Sequence, residues 1–208
     1  MKRLAILGAS GHGKVVADIA ELSGWDEVIF FDDAWPEIKK NSVWPIKGNT
    51  ESLLDVIQNY DGVFVAIGNN EIRLRKLNLL NQKKIPLPSI IHPQAIISRY
   101  AKINAACVIC AGVVVNADVS IGFGSILNTG CSIDHDCFLA EAVHVSPGAN
   151  LAGGTKIGQC AWVGIGVVTC QLITVGSNAV IGAGSVVVKD VAPNTVVVGS
   201  PAKILERK

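Results

Sequence analysis

The chain has 208 residues, of which 50% are hydrophobic, 17% are charged and only 5% are aromatic. This composition excludes an intrinsically disordered chain and predicts a core of small aliphatic side chains, in one large domain or two small ones. The net charge is only +1, which excludes the strong basic field of a nucleic-acid binder or of a protein held on anionic membranes.

The amino-terminal residues 1–13 contain a four-residue apolar run, too short for a signal-peptide core and interrupted by glycine. No window approaches the roughly 18 uninterrupted apolar residues of a membrane span. We therefore expect a cytoplasmic protein without membrane insertion, in which the six cysteines stay as thiols.

Residues 1–90 alternate short apolar runs with amphipathic stretches, a pattern that predicts an α/β, Rossmann-like domain with a parallel sheet. Such a sheet binds ligands at the carboxyl ends of its strands. The predicted strands are 4–7, 27–31, 62–67 and 88–91, and the predicted helices cover 15–22, 50–60 and 70–84.

Three of the predicted strand ends carry polar or glycine-rich segments: GASGHG at 8–13, Asp32-Asp33, and GNNEIR at 68–73. The first segment has the order G-x-x-G-x-G rather than the dinucleotide order G-x-G-x-x-G, which disfavours NAD binding. A phosphate can still rest at the helix N-terminus that follows it. The loop therefore suits a nucleotide-sugar diphosphate, with Asp32 or Asp33 accepting hydrogen bonds from a base or ribose. Asn69 or Asn70 also fits a helix N-cap.

Residues 91–208 follow a six-residue repeat. Fifteen of the 16 positions reached from Ile97 to Val187 in steps of six are aliphatic, and Thr169 is the exception. Small residues stand two positions before many of them, and Gly or Asn often stands one position after, where we expect sharp turns. A helix does not hold this period, and a flat strand needs a period of two. We therefore predict an all-β solenoid in which three hexapeptides make one triangular turn, with about five coils.

This repeat resembles the left-handed parallel β-helix acyltransferases of the hexapeptide-repeat type. An α/β domain ahead of such a β-helix resembles the bacterial nucleotide-sugar N-acetyltransferases that act in bacillosamine biosynthesis, and the related sialic acid O-acetyltransferases. The motifs that carry the resemblance are GASGHG, FDD, AIGNNEIR, LNTG, IDHDC, HVSPGA, LAGG and GSPAK, in the same order and at similar spacing.

The resemblance implies that His135 is the general base of the reaction and that Asp136, where many members have Glu, orients it. An amine that attacks a thioester loses a proton, and a base with a pKa near neutrality suits that step. Asn128 matches an active-site Asn of the family. Without the resemblance, His135 is read as a surface histidine at a turn and Asn128 as a corner residue.

The resemblance also assigns the ligand contacts. His144 matches the histidine near the acetyl-CoA thioester, although a trimer-interface histidine is the alternative. Gly153 and Ile165 match positions that offer main-chain groups to the CoA pantetheine arm, although corners need glycine in any case. Ala183 is a further expected acetyl-CoA contact, and Lys189 or Lys203 is expected to meet the CoA phosphates. The expected nucleotide-sugar contacts are Ser10, Gly11, His12, Gly13, Asp32, Asp33, Gly68, Asn69, Asn70 and Arg73.

Together these features predict a homotrimeric, acetyl-CoA-dependent enzyme that acetylates the 4-amino group of a UDP-4-amino-4,6-dideoxy sugar, with no metal. The rivals within the class are a GDP- or dTDP-amino-sugar N-acetyltransferase and a sialic acid O-acetyltransferase. The alternatives outside this enzyme class are a zinc-dependent, carbonic-anhydrase-like β-helix and a catalytically silent scaffold. Cys107 and Cys110 form a single CxxC, which is a weak metal signal, and Cys107, Cys131 and Cys137 are more simply read as compact core hydrophobes.

Overall fold

The computed structural model describes residues 1–206 and divides the chain into two compact units, Met1–Pro93 and the residues from Gln94 onward. The division lies close to the boundary predicted after residue 90. Within the described residues, no helix has the length and apolarity that a bilayer span requires.

The amino-terminal unit is built on a three-stranded parallel sheet with the order β2-β1-β5. The predicted strands 4–7, 27–31 and 62–67 and the three predicted helices are confirmed, with the third strand ending at Val65, and their apolar residues are buried in the core of this unit. Its elements are β1 (Arg3–Leu7), α1 (Gly11–Leu22), β2 (Glu27–Phe31), a hairpin of β3 (Lys40–Asn41) and β4 (Trp44–Pro45), α2 (Thr50–Val56) with a 3₁₀ turn (Ile57–Asn59), β5 (Gly62–Val65), α3 (Asn70–Gln82) and β6 (Ile90–Ile91).

Of the fourth predicted strand, residues 88–91, only Ile90–Ile91 form a strand, β6, and it is not part of this sheet, so its predicted place in the sheet is wrong. The chain approaches β5 only briefly, where the Val63 amide donates to the Pro86 carbonyl at 3.0 Å. Pro86 and Pro88 have no amide hydrogen and cannot donate to a ladder beside β5.

The carboxy-terminal unit is a parallel β-solenoid in which two-residue strands recur every six residues, and it confirms the predicted fold class. Val114 and Val115 pair with Ser132 and Ile133, so one turn takes 18 residues, as three hexapeptides require. The solenoid has about six turns rather than five, since coiling continues beyond Val187. The strands are β7 (Ile96–Ile97), β8 (Lys102–Ile103), β9 (Val108–Ile109), β10 (Val114–Val115), β11 (Ser120–Ile121), β12 (Ile126–Leu127), β13 (Ser132–Ile133), β14 (Phe138–Leu139), β15 (His144–Val145), β16 (Asn150–Leu151), β17 (Lys156–Ile157), β18 (Trp162–Val163), β19 (Val168–Thr169), β20 (Thr174–Val175), β21 (Val180–Ile181), β22 (Val186–Val187), β23 (Val196–Val198) and β24 (Lys203–Ile204).

Three sheets form the three faces of the solenoid. The first face contains β7, β10, β13, β16, β19 and β22, the second contains β8, β11, β14, β17 and β20, and the third contains β9, β12, β15, β18, β21 and β23. The first corner, where the first face turns into the second, includes residues 134–136 and 152–154. The third corner, where the third face turns into the first, includes residues 128–130, 146–148 and 164–166.

The predicted aliphatic column fills the solenoid interior. From Ile109 to Val163 every sixth residue is at most 1% exposed, and the small residues two positions earlier, such as Cys131 and Ala149, are buried beside them. The aliphatic column is therefore a continuous core, and it needs no aromatic side chains.

The glycines that directly follow the inward residues do not make the turns, which corrects the prediction. The left-handed backbone recurs two positions later, from Ala106 (φ 60°) to Gly184 (φ 67°). Gly122 instead packs against the next coil, where a Cβ would overlap the backbone of Ala140. Glycine is required at such positions because adjacent coils approach too closely for a side chain.

Candidate functional site

His135 lies in the turn after β13, at the first corner, and its side chain is 62% exposed. The strand buries Ile133 in the interior, so the residue two positions later points away from the core. This is the corner position that the six-residue period predicts.

Two carboxylates flank the His135 ring. Nδ1 of His135 lies 2.7 Å from Oδ2 of Asp136, which sits in a left-handed conformation with φ 60°. This hydrogen bond, with the negative charge of Asp134 adding to it, raises the pKa of His135 above its ordinary value. In the neutral ring Nδ1 donates to Asp136, which leaves Nε2 as the basic nitrogen.

Asp134 is a functional residue that the sequence reasoning missed, although it stands beside the histidine in the motif IDHDC. Its Oδ1 accepts the His135 backbone amide at 2.8 Å and the Asn116 side-chain amide at 2.9 Å. The hydrogen bond from the His135 amide is the main reason that the pKa of Asp134 is lowered. Asp134 therefore fixes the backbone that carries the histidine.

A polar groove lies on the first face beside this corner. It has a volume of about 370 Å³, and the amide and hydroxyl groups of Asn116, Ser132, Asn150 and Thr169 line it together with Asp134. This set of hydrogen-bonding groups suits a polar ligand such as a sugar.

A second cavity, of about 430 Å³, opens at the third corner and is mostly apolar. It brings together four of the predicted residues, Asn128, His144, Ile165 and Ala183, with Trp162. We call it the third-corner cavity.

His144 is outside the solenoid core, as predicted, but only 6% of its surface is exposed. Its ring packs against Trp162, with ring centroids 4.1 Å apart, and its Nε2 lies 3.5 Å from the Asn128 amide nitrogen. Trp162 was missed in the sequence, where the signal was available: it is the one tryptophan after residue 90.

The predicted catalytic set is divided between the two corners within one chain. His135 and Asp136 lie at the first corner, whereas Asn128 lies at the third, beside His144. Strand β13 on the first face separates the two corners. Of the other predicted acetyl-CoA contacts, Lys203 is exposed on β24, and Gly153 lies under the His135 ring rather than in the third-corner cavity.

The amino-terminal unit has its own cavity of about 260 Å³ at the carboxyl ends of its strands. The structure brings together Ser10, Asp32, Asp33 and Gly68 there, as the sequence predicts. Gly11 begins α1 directly beside this cavity, and a Cβ there would meet no atom within 4 Å.

Several predicted contacts instead hold the loops of this cavity. Asp32 accepts the amides of Ala9 at 2.6 Å and Ala34 at 2.9 Å, so the local backbone uses both its oxygens. Gly13 packs α1 tightly against the Gly8 carbonyl and the Phe30 ring.

The start of α3 is fixed in the same way. Asn69 caps the helix by accepting the Ile72 amide at 3.0 Å, which agrees with the N-cap alternative. Arg73, only 1% exposed, donates to the carbonyls of Ile67 and Gly68 and to the Asn70 side chain. Both side chains are buried, and the Asn70 amide oxygen helps to hold Arg73 against the loop that precedes α3.

Two titratable groups near this cavity have shifted pKa values. Burial, with the Arg73 charge adding to it, lowers the pKa of His12 to about 4, so the ring is neutral at pH 7. Burial alone would raise the pKa of Asp33, but the hydrogen bonds from Thr50 and Lys76 outweigh burial, so the pKa is lowered. Lys76, whose Nζ lies 3.2 Å from Asp33, was missed because its helix register is not apparent from local sequence.

Within residues 1–206 no group of three or more His, Cys, Asp and Glu side chains is arranged to hold a metal ion. Cys107 and Cys110 are both buried in the solenoid, and burial raises the pKa of Cys110 to about 12. The CxxC is therefore core packing, because a metal ligand needs an accessible thiolate.

Residues 3–80 match the family model of the PglD N-terminal domain. The whole chain is similar to the acetyltransferase domain of PglB from Neisseria gonorrhoeae in complex with acetyl coenzyme A, with 40% identity, coverage of 98% and 99% of the two chains, and a TM-score of 0.94. It is also similar to a variant of perosamine N-acetyltransferase from Caulobacter crescentus in complex with CoA and GDP-perosamine, with 33% identity, coverage of 100% and 98%, and a TM-score of 0.95.

Curated proteins give a consistent result. GDP-perosamine N-acetyltransferase of Escherichia coli O157:H7 is 27% identical over 190 residues, which are 88% of this chain and 85% of that protein. Several other curated relatives are named as acetyltransferases, and the chain matches only 22% to 32% of their own length.

Proposed function

The chain belongs to the PglD-like family of hexapeptide-repeat acetyltransferases, and from this premise we propose that it moves the acetyl group of acetyl-CoA to an amino group of a nucleotide sugar. The observation that carries the proposal is the hydrogen bond between His135 and Asp136 at an exposed corner beside a polar groove. We propose a cytoplasmic reaction, which suits a chain with six free thiols.

His135 is the general base of the proposed reaction. Its Nε2 takes a proton from the substrate amine as the amine nitrogen attacks the thioester carbonyl. A C–N bond forms, the C–S bond breaks, and the proton on Nε2 passes to the leaving sulfur, so coenzyme A leaves as a thiol. Asp136 stabilises the imidazolium that forms, because its carboxylate accepts the Nδ1 hydrogen.

The third-corner cavity is the proposed acetyl-CoA site. Its apolar wall of Trp162, Ile165 and Val180 suits the pantetheine chain, and His144 and Asn128 supply polar groups near one end. The acetyl-CoA-bound Neisseria domain supports this assignment through its similarity over nearly the whole chain.

The proposed acceptor is a UDP-4-amino-4,6-dideoxy sugar of the bacillosamine type, with the nucleotide at the cavity of the amino-terminal unit. Ser10 and the start of α1 are suited to the diphosphate, and Asp33 to a ribose or base. A GDP-linked amino sugar is the second candidate, because two of the relatives described above are perosamine N-acetyltransferases.

We also propose that the enzyme is a homotrimer. One chain carries His135 and His144 at different corners, so a site that uses both requires a second copy. Triangular solenoids present flat faces that can pack around a three-fold axis. Light scattering coupled to gel filtration is expected to give three times the chain mass, and a stable monomer would contradict this proposal.

The test is thiol release from acetyl-CoA with a panel of UDP-, GDP- and dTDP-linked 4-amino sugars and free sialic acid. We expect turnover with a UDP-linked amino sugar, and loss of about 100-fold or more in kcat for His135→Ala, since general-base catalysis contributes that much. His92→Ala, which removes a histidine that lines neither of the two solenoid cavities, is the matched control. Turnover only with sialic acid, or an unchanged rate in His135→Ala, would overturn the proposal.

A further inference from the structure

Gly153 lies directly against the imidazole of His135, one coil further along the first corner. A Cβ at position 153 would lie 2.6 Å from Cε1, 2.7 Å from Nε2 and 3.2 Å from Nδ1 of His135. These separations are shorter than van der Waals contact, so the ring occupies the space that any side chain at 153 would need.

The backbone does not require glycine at this position. Position 153 is the second residue after an inward residue, and Gly153 is the one glycine among the 16 equivalent positions. Its conformation is outside the left-handed region that favours glycine. The equivalent residues elsewhere are Arg99, Ala105, Ala111, Ala117, Phe123, Thr129, His135, Glu141, Pro147, Gln159, Ile165, Gln171, Ser177, Ala183 and Lys189.

The segment that carries Gly153 departs from the regular ladder of the first face. In the other coils the residue after the inward position donates its amide to a backbone carbonyl one coil on, as Asp134 does to Leu151 at 3.0 Å. Ala152 instead donates to the hydroxyl of Thr169 at 3.0 Å. Thr169 is the one residue in the inward column that is not aliphatic.

A second threonine closes the same segment. Thr155 is fully buried, donates to the Ala152 carbonyl at 2.6 Å, and lies 3.2 Å from the Thr169 hydroxyl. The two hydroxyls therefore bind the amide and the carbonyl of Ala152, the residue directly before Gly153.

We propose that Gly153, held by the hydroxyl pair of Thr155 and Thr169, provides the surface against which the His135 imidazole packs and so positions the ring against Asp136. We call these three residues the seat. These three are positioning residues, since none is assigned a contact with the reacting atoms here. The inference rests on the proposed function only in taking His135 as the base. It goes beyond that function by giving a reason for the missing side chain at 153 and for the missing aliphatic residue at 169.

The first test is Gly153→Ala. The added methyl displaces the ring from Asp136, so we expect kcat to fall about 100-fold, as misplacement of a reacting group by about 1 Å does, with little change in KM for acetyl-CoA. NMR titration of His135 is expected to show its pKa falling toward the ordinary histidine value. Gly112→Ala is the control, because its methyl, at another corner, would meet the Gly130 backbone only at an ordinary van der Waals distance of 3.8 Å. An unchanged kcat and an unchanged His135 titration would overturn the seat.

The second test separates positioning from folding. Thr169→Val restores the aliphatic column and lets the Ala152 amide donate to a backbone carbonyl as in the other coils, so thermal stability is expected not to fall. We expect kcat to drop about tenfold, because the segment under His135 shifts. Thr169→Ser keeps the hydroxyl and is expected to keep wild-type kcat. Thr195→Val, which removes a comparable hydroxyl bond to the Ala192 carbonyl, is the control.

Full kcat in Thr169→Val, or a loss that Thr169→Ser does not rescue, would contradict the role of the hydroxyl pair. The NMR titration needs no substrate. If no sugar is turned over, the proposed function fails, while the His135 titration in Gly153→Ala still tests the seat.

Discussion

At the level of single residues, the raised pKa of His135 comes from its neighbouring carboxylates. The hydrogen bond from Nδ1 to Asp136 is the main reason that its pKa is raised, with Asp134 adding a Coulombic contribution. Both carboxylates favour the protonated ring. A base has to be neutral to accept a proton, so activity is lost as pH falls through this pKa.

Asp136→Asn is therefore expected to move the acidic limb of the kcat/KM profile to lower pH. The Asp136 carboxylate raises the pKa of His135 above its ordinary value, and the amide of the variant does not stabilise the imidazolium in this way. The plateau rate is also expected to fall, since a weaker base accepts the proton less readily. Asp118→Asn, at the equivalent corner position one coil earlier, is the control. A limb that stays in place, or that moves equally in both variants, would contradict this account.

At the level of elements, the solenoid uses glycine for two different purposes. Glycines such as Gly112 and Gly130 adopt the left-handed conformation, which alanine also adopts at the equivalent positions 106 and 142. At Gly122, by contrast, a side chain would overlap the backbone of the next coil. Only the second kind is irreplaceable, because two coils would have to separate to admit a methyl group.

Gly122→Ala is accordingly expected to lower the free energy of unfolding by about 3 kcal/mol or more, since overpacking against backbone forces it to move. Gly112→Ala is expected to cost only about 1 kcal/mol, the usual penalty for alanine in the left-handed region. Urea unfolding of the two variants measures both values. Equal losses would mean that the close approach of the coils is not what requires glycine at 122.

At the level of the whole molecule, the two corners make a definite prediction for mixed assemblies. His135→Ala and His144→Ala are each expected to be inactive. If neighbouring chains contribute the two corners of each site, a random 1:1 mixture of the variants should regain about one quarter of wild-type activity, because each partner has an even chance of being the right one. Co-expression with two affinity tags isolates the mixed trimers, in which one of the three sites would be intact, so the doubly tagged fraction is expected to show about one third of wild-type activity. No recovery would mean that one chain supplies both corners of a site, or that the enzyme is not a trimer.

Much of the fold could be read from local sequence. The period of six predicts two-residue strands, tight corners and an aliphatic interior, because each inward position repeats the same burial. The same period places His135 at an exposed corner. The α/β unit was predictable in its three paired strands and its helices, but not in residues 88–91, where Pro86 and Pro88 exclude the chain from the sheet.

The remaining features depend on contacts between residues that are distant in sequence. Gly153 meets His135 across 18 residues, Thr169 meets Ala152 across 17, and Arg73 satisfies carbonyls that precede its own helix. Periodicity reports which side of the chain is buried, so it establishes the solenoid and the corner position of the base. It does not report which atoms meet between coils. The seat under His135 and the separation of the two corners therefore became visible only when the coils were stacked.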